Sequence, residues 1–447
     1  MTNYLDTEDN IVALATASGL GSLDVIRISG MSLLELYSKI TKETKPPTPN
    51  MIKKNNIYSL LDNKIIDNGM ISFFASPASF TGQDIIEINC HGGGYIANKV
   101  IQSICTADEA RMALPGEFLF RAYVNNKIDI IQAESINEMI MAESGLHNNK
   151  SLENIDGKLS EKILMIKKSI LNMLLVLEHE LDFDESEILH ITNTQINQKI
   201  KKIIKGIESI TQCYFFSKTV RSGLRILILG KPNVGKSSIF NYLLGTNRSI
   251  VADMPGTTRD TIESILEIGG HRVVLIDSAG SWESIDKIES MGIEKTKNEI
   301  ELANIVILIG ENKNDINLFQ DTTKDKSVII VYSKSDIHIH HSKLLSVSAT
   351  NGVGFSKLST EISTKIKDYY SSNKINNEFL INDRQYNILE SCNAQLKTLL
   401  NKIESGIERD IVADLLHTVL EDYNKIISPI DREDIINQIF AGFCIGK

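Results

Sequence analysis

Residues 230–238, GKPNVGKSS, combine two glycines, a lysine and two hydroxyls at a spacing that suits a triphosphate. Gly230 and Gly235 permit a backbone whose successive N–H groups converge on phosphate oxygens. Lys236 adds a point charge for the terminal phosphates and Ser237 offers its hydroxyl to magnesium, while Asn233, Val234 and Ser238 complete the loop. A second set is DSAG at 277–280, where Asp277 can hold the magnesium through water and the Gly280 amide can meet the terminal phosphate, with Ser278 and Ala279 between them. A third is SKSD, made of Ser333, Lys334, Ser335 and Asp336. A carboxylate there accepts hydrogen bonds from the ring N–H and exocyclic amine of guanine. Adenine offers no such pair of donors, so the unpaired carboxylate penalises ATP. Ser348, Ala349 and Thr350, just before NGVG, suit a loop whose backbone closes over the base. The chemistry implied is binding and hydrolysis of GTP with Mg2+.

These loops need strands behind them and helices in front. Leu224–Leu229, LRILIL, is a continuous apolar run suited to a buried parallel strand, and the helical pattern IFNYLLG follows the phosphate loop. HRVVLID leads into DSAG and SVIIVYS into SKSD, so each motif follows an apolar strand. Upstream, IVALAT, VIRISG, GMISFF and DIIEINC read as strands, HGGGY as a glycine-rich turn and NKVIQSIC as a helix; the first 45 residues or so read as strands and turns. From Tyr123 to about Lys218 proline is absent and apolar residues recur every three or four positions, a texture that returns after residue 375. The expected fold is multidomain α/β and α+β. Residues 1–122 form an N-terminal α+β domain, 123–220 and 373–447 two parts of one discontinuous all-α domain, and 221–372 an inserted P-loop domain with a mixed, mostly parallel sheet. Two independent helical domains are the plainer alternative.

At 447 residues the chain has room for several cores without external staples. Its five cysteines, Cys90, Cys105, Cys213, Cys392 and Cys444, show no C-x-x-C spacing, which speaks against a disulfide framework or a zinc site. The acidic start MTNYLDTEDN suits neither a secretory signal nor a transit peptide, and no apolar run approaches a membrane span; a soluble, cytoplasmic protein is expected. With a formal charge of −10 the chain as a whole repels nucleic acid, so an RNA partner needs a local basic patch or a second protein. The acidic run DFDESE and the histidines at 338–341 read as a solvated helix end and a loop, and no metal is assigned to either.

Between the phosphate loop and DSAG lies VADMPGTTRD, residues 251–260. With KPNVGKSS it resembles the translation-factor-related GTPases that include the TrmE, Era and EngA groups. The N-terminal stretches VIRISG, FTGQDIIEINCHGGG and PGEFLFRAYVNNKIDIIQAE and the ending FCIGK resemble, in order and over essentially the whole chain, the bacterial tRNA-modification GTPase family MnmE (TrmE). Guanine-nucleotide proteins usually carry NKxD where this chain has SKSD. Ser333 in place of asparagine bears on affinity more than on base identity.

The resemblance implies further roles. Ala252, Asp253, Met254, Pro255, Gly256, Thr257 and Thr258 would form a switch segment over the nucleotide, with Thr258 joining Ser237 on magnesium. Asn233, Ala252, Met254 and Thr257 would cage a K+ ion that stands in for an arginine finger; alternatively Asn233 only shapes the loop. Ser281 occupies the position where Ras-type proteins place a glutamine, and Glu289 would orient the water when two nucleotide domains meet face to face. Arg27, Glu87, Lys127 and Lys447 would bind 5,10-methylene- or 5-formyl-tetrahydrofolate; without the resemblance they read as ordinary surface charge. Cys444 would act in the transfer or merely pack the tail. The family is implied to be a homodimer that works with the flavoprotein MnmG (GidA) on carbon 5 of the wobble uridine of certain tRNAs. A ribosome-assembly switch without one-carbon chemistry, and a scaffold with a vestigial folate site, are the competing readings.

Overall fold

The computed structural model describes residues 7–182, 191–246, 248–249, 262–277, 297–337, 344–372, 377–427, 439–440, 442–443 and 446. It divides into two compact units: Met1–Asn137 with Ile155–Leu171 and His417–Lys447, and Glu138–Asn154 with Asn172–Leu416. Among the described residues no helix is long and apolar enough to cross a membrane.

The first unit is built on a six-stranded sheet of β1 (Ile11–Leu14), β2 (Leu23–Gly30), β3 (Ile52–Tyr58), β4 (Ile65–Phe74), β5 (Asp84–His91) and β6 (Arg111–Met112), in the order β3-β4-β5-β2-β1-β6. All neighbours are antiparallel except β1 and β6. Strand alternation sends Val12, Ile26, Ile28, Ile86 and Ile88 to one face, where they meet α1 (Leu34–Thr41) and α2 (Tyr95–Thr106) through Leu36, Tyr37, Val100 and Ile104. Ile11 and Ala13 face the other way, packing with Phe118 of α3 (Glu117–Val124). The same alternation puts Arg27 on that second face, directly across from Glu87. Helix α1 corrects the expectation that the first 45 residues hold only strands and turns. Its buried residues, Leu36, Tyr37, Ile40 and Thr41, follow helical spacing within a segment too short to stand out.

The second unit contains a sheet of order β12-β11-β7-β10-β9-β8, formed by β7 (Leu224–Gly230), β8 (Arg248–Ser249), β9 (Ile262–Ile268), β10 (His271–Asp277), β11 (Ile305–Gly310) and β12 (Ser327–Tyr332). β7, β10, β11 and β12 run parallel and β9 returns antiparallel to β10. Strand β7 is buried on both sides. Ile226 and Ile228 enter one core cluster and Leu227 and Leu229 the other, which is why its sequence is apolar without alternation.

Helices α4 (Ile130–Ile140), α5 (Gly145–Ile155), α6 (Lys158–Asp182), α7 (Asn193–Thr211) and α8 (Tyr214–Ser222) precede this sheet along the chain. After β7 come α9 (Lys236–Thr246), α10 (Lys313–Gln320), α11 (Phe355–Ser372), α12 (Asp383–Glu404) and α13 (Arg409–Asn424). Capping boxes at Thr192/Gln195 and Asn382/Gln385 start α7 and α12. Elements from either side of the nucleotide sheet meet within this unit: Tyr214 stacks on Tyr386 at 3.9 Å and Ile381 N donates to Ser217 Oγ at 2.9 Å. At the same junction Arg221 donates to both oxygens of Glu138 at 2.9 Å and to the Ile381 carbonyl at 2.9 Å. His147 Nε2 lies 2.9 Å from Glu138 as well.

Candidate nucleotide site

The parallel strands deliver their loops to one end of the sheet, the carboxyl ends, where open α/β sheets bind ligands. The phosphate loop leaves β7 at Gly230. A β-carbon there would stand 2.4 Å from the Ile309 carbonyl oxygen of β11, so only glycine lets the two strands lie this close. Gly235 takes φ 98° and Asn233 φ 63°, left-handed conformations that let the loop curl. Asparagine tolerates that region, so the loop-shaping role of Asn233 is filled whatever else it binds.

Helix α9 begins at Lys236, whose side chain is 4% exposed. Its ammonium donates to the carbonyls of Gly230 at 3.0 Å and Lys231 at 2.8 Å. Burial pushes its pKa below the usual lysine value, against the opposing charge of Asp277. A cation held by neutral carbonyls beside a helix N-terminus is a grip for an anion. Ser237 Oγ donates to Asp277 Oδ2 at 3.2 Å, which brings together the hydroxyl and carboxylate expected to share a magnesium ion. Hard oxygen donors of this kind suit that ion.

The base loop abuts the phosphate loop, since a β-carbon on Gly235 would lie 3.9 Å from Ser333 Cβ. Ser333 is buried, its N–H bound to Gly310 O at 3.0 Å, and Lys334 turns with φ 55° to pair with Glu311. Asp336 is exposed at the tip, and its Oδ1 accepts from Ser348 Oγ at 2.8 Å. Ser335 N donates to Val347 O at 3.2 Å, and with the Ser348–Asp336 bond this laces the two base-side loops together, while Asn351 N donates to Ser348 Oγ at 3.3 Å within the second loop. Ala349 and Thr350 follow, exposed. Val234 is buried, while Ser237 and Ser238 are exposed on the first turn of α9.

Residues 252–258, 278–280 and 289 lie outside the described residues, as do the histidines at 338–341, residues 183–187 of the acidic run, Cys444 and Lys447. Among the described residues no group of three or more His, Cys, Asp or Glu could hold a metal.

Comparison with known proteins matches residues 10–127 to the "GTP-binding protein TrmE N-terminus" and 130–444 to the "MnmE helical domain". The tRNA modification GTPase MnmE of Aliarcobacter butzleri is 35% identical over 453 residues, covering 98% of this chain and 99% of that protein. Those of Moorella thermoacetica and Aquifex aeolicus are each 32% identical, over 98% of this chain and 100% and 99% of theirs. The chain belongs to the MnmE family. Among solved structures it is similar to the G domain of the T. maritima FeoB iron transporter, 25% identical over 33% of this chain and 98% of that one, with a TM-score of 0.26.

Of the folate residues implied by likeness to the MnmE family, Arg27, Glu87 and Lys127 sit in the first unit. Arg27 Nη2 and Glu87 Oε1 are 2.7 Å apart, with side chains 22% and 23% exposed. The guanidinium also donates to Gly446 O at 3.2 Å and lies 5.9 Å above the Phe118 ring. The penultimate residue thus reaches the pair, and a β-carbon on Gly446 would meet the Leu14 carbonyl oxygen at 2.4 Å. Lys127 is exposed and donates to Pro77 O at 2.9 Å; no contact joins it to Arg27 or Glu87 among the described residues. An amide-and-amine ligand edge fits a carboxylate and an anionic tail fits the cations, so the donor set suits a folate.

Sequence reading missed a buried ionic cluster next to this pair. Glu117 and Arg121 are fully buried, and Asp9 and Arg111 close the network through contacts of 2.5–3.0 Å. Arg121 also reaches the Gln83 side chain at 3.0 Å, and Gln83 accepts from Ser29 of β2 at 3.1 Å. The sole sequence hint is the i, i+4 spacing of Glu117 and Arg121 on a helix otherwise apolar.

Proposed function

We propose that the chain is a GTP-hydrolysing switch that acts in tRNA modification. The observation that carries it is the convergence of Lys236, the Ser237–Asp277 pair and the Ser348-oriented Asp336 at the ends of parallel strands of one sheet. Lys236 and the amides of the phosphate loop hold the triphosphate, and Asp336 selects guanine. Ser237 and Asp277 orient magnesium, with Thr258 completing its ligands; the ion, when bound, neutralises charge on the phosphate oxygens.

Finer roles extend the same reading. Asn233, with backbone at Ala252 and Met254 and with Thr257, would hold K+, which would supply positive charge near the phosphates, where charge shifts during cleavage. Glu289 orients water when two nucleotide domains pair. The domain plan is 1–122, 123–220, 221–372 and 373–447, with the helical parts joined around the nucleotide domain; the Tyr214–Tyr386 stack and the Ser217–Ile381 bond support it. In a cytoplasmic homodimer Arg27, Glu87, Lys127 and Lys447 bind a tetrahydrofolate one-carbon carrier, which supplies the carbon unit. Cys444, at the same terminus, either protonates or attacks in the transfer or packs the tail. With the flavoprotein MnmG the complex modifies carbon 5 of wobble uridine in certain tRNAs.

Two measurements test this. GTP turnover in matched KCl and NaCl should be faster in KCl, and equal rates would remove the K+ cage. Deleting the gene should abolish the modified wobble uridine in total tRNA; an unchanged nucleoside profile would refute the modification role.

A further inference from the structure

Helix α7 carries a charge pattern that folding alone does not explain. Between Asn193 and Ile207 it holds Lys199, Lys201, Lys202 and Lys205 and no acid, in a chain with 57 acidic and 47 basic residues. Its buried side is apolar, formed by Ile196, Ile200, Ile203, Ile204 and Ile207, and all four lysines are exposed. At about 100° per residue, Lys201, Lys202 and Lys205 fall within an arc of about 100° directly opposite the isoleucines, with Lys199 at its flank. The spacings are unfavourable to the helix itself. Lys199/Lys202 and Lys202/Lys205 are i, i+3 neighbours and Lys201/Lys205 i, i+4 neighbours, positions at which like charges repel. None of them lies in the last turn, where the helix dipole would favour a cation. The first acid on the helix, Glu208, is already engaged with Lys397 of α12 at 2.7 Å. Among the described residues no ion pair involves any of the four lysines.

We propose that this face of α7 is a docking surface for the phosphate backbone of RNA, namely the tRNA on which the chain acts. It rests on the tRNA-modification reading above. Flexible ammonium groups spread over about 9 Å of helix axis, from Lys199 to Lys205, suit successive phosphates without reading bases. A polyanion turns the repulsion within the cluster into attraction. This explains how a chain of net charge −10 can hold nucleic acid at all: through one local stripe.

The test uses full-length protein and a fluorescein-labelled tRNA transcript, with anisotropy measured across a KCl series. Lys201→Gln/Lys202→Gln/Lys205→Gln should weaken binding about tenfold or more at low salt. It should reduce the slope of log affinity against log salt by about 2 to 3. GTP turnover should be unchanged and thermal stability equal or higher, since like-charge repulsion is relieved. The charge-reversed triple glutamate variant should bind more weakly still. Affinity and salt slope equal to those of the unmodified chain would overturn the proposal, and so would absence of tRNA binding by the unmodified chain. If the patch takes an acidic protein surface instead, the triple variant binds tRNA as the unmodified chain does, and the proposal falls in the same way. Complementing a deletion strain separates the two levels. Wobble modification restored by both forms, with no difference in tRNA binding, sinks the RNA surface alone; failure of the unmodified chain to restore it sinks the tRNA reading.

Discussion

The nucleotide site and the Arg27–Glu87 region handle charge in opposite ways. At the phosphate loop the buried ammonium of Lys236 is held by the carbonyls of Gly230 and Lys231, so its charge is positioned but not cancelled by them. On β2 and β5 the guanidinium and carboxylate face each other across the ladder at 2.7 Å and largely neutralise one another. The first arrangement raises the energy of the empty protein and lowers that of the complex. The second is at rest without a ligand, and a ligand must share or divide the pair. The ammonium at the phosphate end therefore awaits an anion, whereas the pair joins β2 to β5 with its charges already matched.

The largest effect that sharpens this contrast is expected at Lys236. Replacing it with alanine should cut GTP turnover at saturating GTP by at least roughly 10²-fold, the scale for removing one aligned donor from a transition state. Lys236→Met should nonetheless raise the melting temperature of the empty protein by about 2 °C. The sign follows from linkage: a lysine whose folded pKa is lowered by burial binds protons more weakly folded than unfolded. The empty fold thus gains stability as pH rises through that lowered pKa toward the ordinary value of 10.5. A fall in melting temperature would show that the charge is stabilised without phosphate.

Next in size is Asp336→Asn, expected to weaken GTP roughly 10- to 100-fold through loss of charge-assisted bonds and to improve xanthosine nucleotides, whose carbonyl suits an amide donor. Competition of both nucleotides against a fluorescent GDP checks it.

Much of the nucleotide site was legible because its parts are local. A strand buried on both faces reads as an unbroken apolar run, and a loop that cradles phosphate needs its glycines and lysine within a few residues of each other. Asp336 and Ser348 were legible as separate motifs, but not the bond that orients one by the other. The ionic clusters were not legible. Arg111 and Asp9 are 102 positions apart, and Arg221 and Glu138 are 83 apart, so nothing in a local window marks them as partners. The i, i+4 pair Glu117–Arg121 has the spacing of an ordinary solvated helix pair, and only the fold buries it.

Glu138 extends the cancelled-charge class to the second unit. Burial alone would raise its pKa, but the bonds from His147 and Arg221 hold it below the ordinary carboxylate value. A depressed carboxyl contributes stability above its unfolded pKa, and that contribution is lost as pH falls through the folded value. Glu138→Gln should therefore cost about 1–2 kcal/mol near neutral pH, with the gap to the unmodified chain closing below about pH 4 in urea titrations. A gap independent of pH would assign the loss to packing.

The smallest effect is expected at Arg27 and Glu87. A double-mutant cycle with Arg27→Met and Glu87→Gln should return a coupling of about 1 kcal/mol, the scale of a half-exposed pair. Either single change should weaken 5-formyl-tetrahydrofolate. Coupling near zero would mean that the pair does not brace the sheet.

Isothermal titration of the intact chain with magnesium and GDP, then with ADP, bears most directly on the guanine-nucleotide assignment. Tight binding of GDP, weaker by at least about a hundredfold for ADP, is the expected result. Equal affinity for the two diphosphates, or heat with ADP alone, would contradict the role given to Asp336 and with it the assignment as a guanine-nucleotide switch.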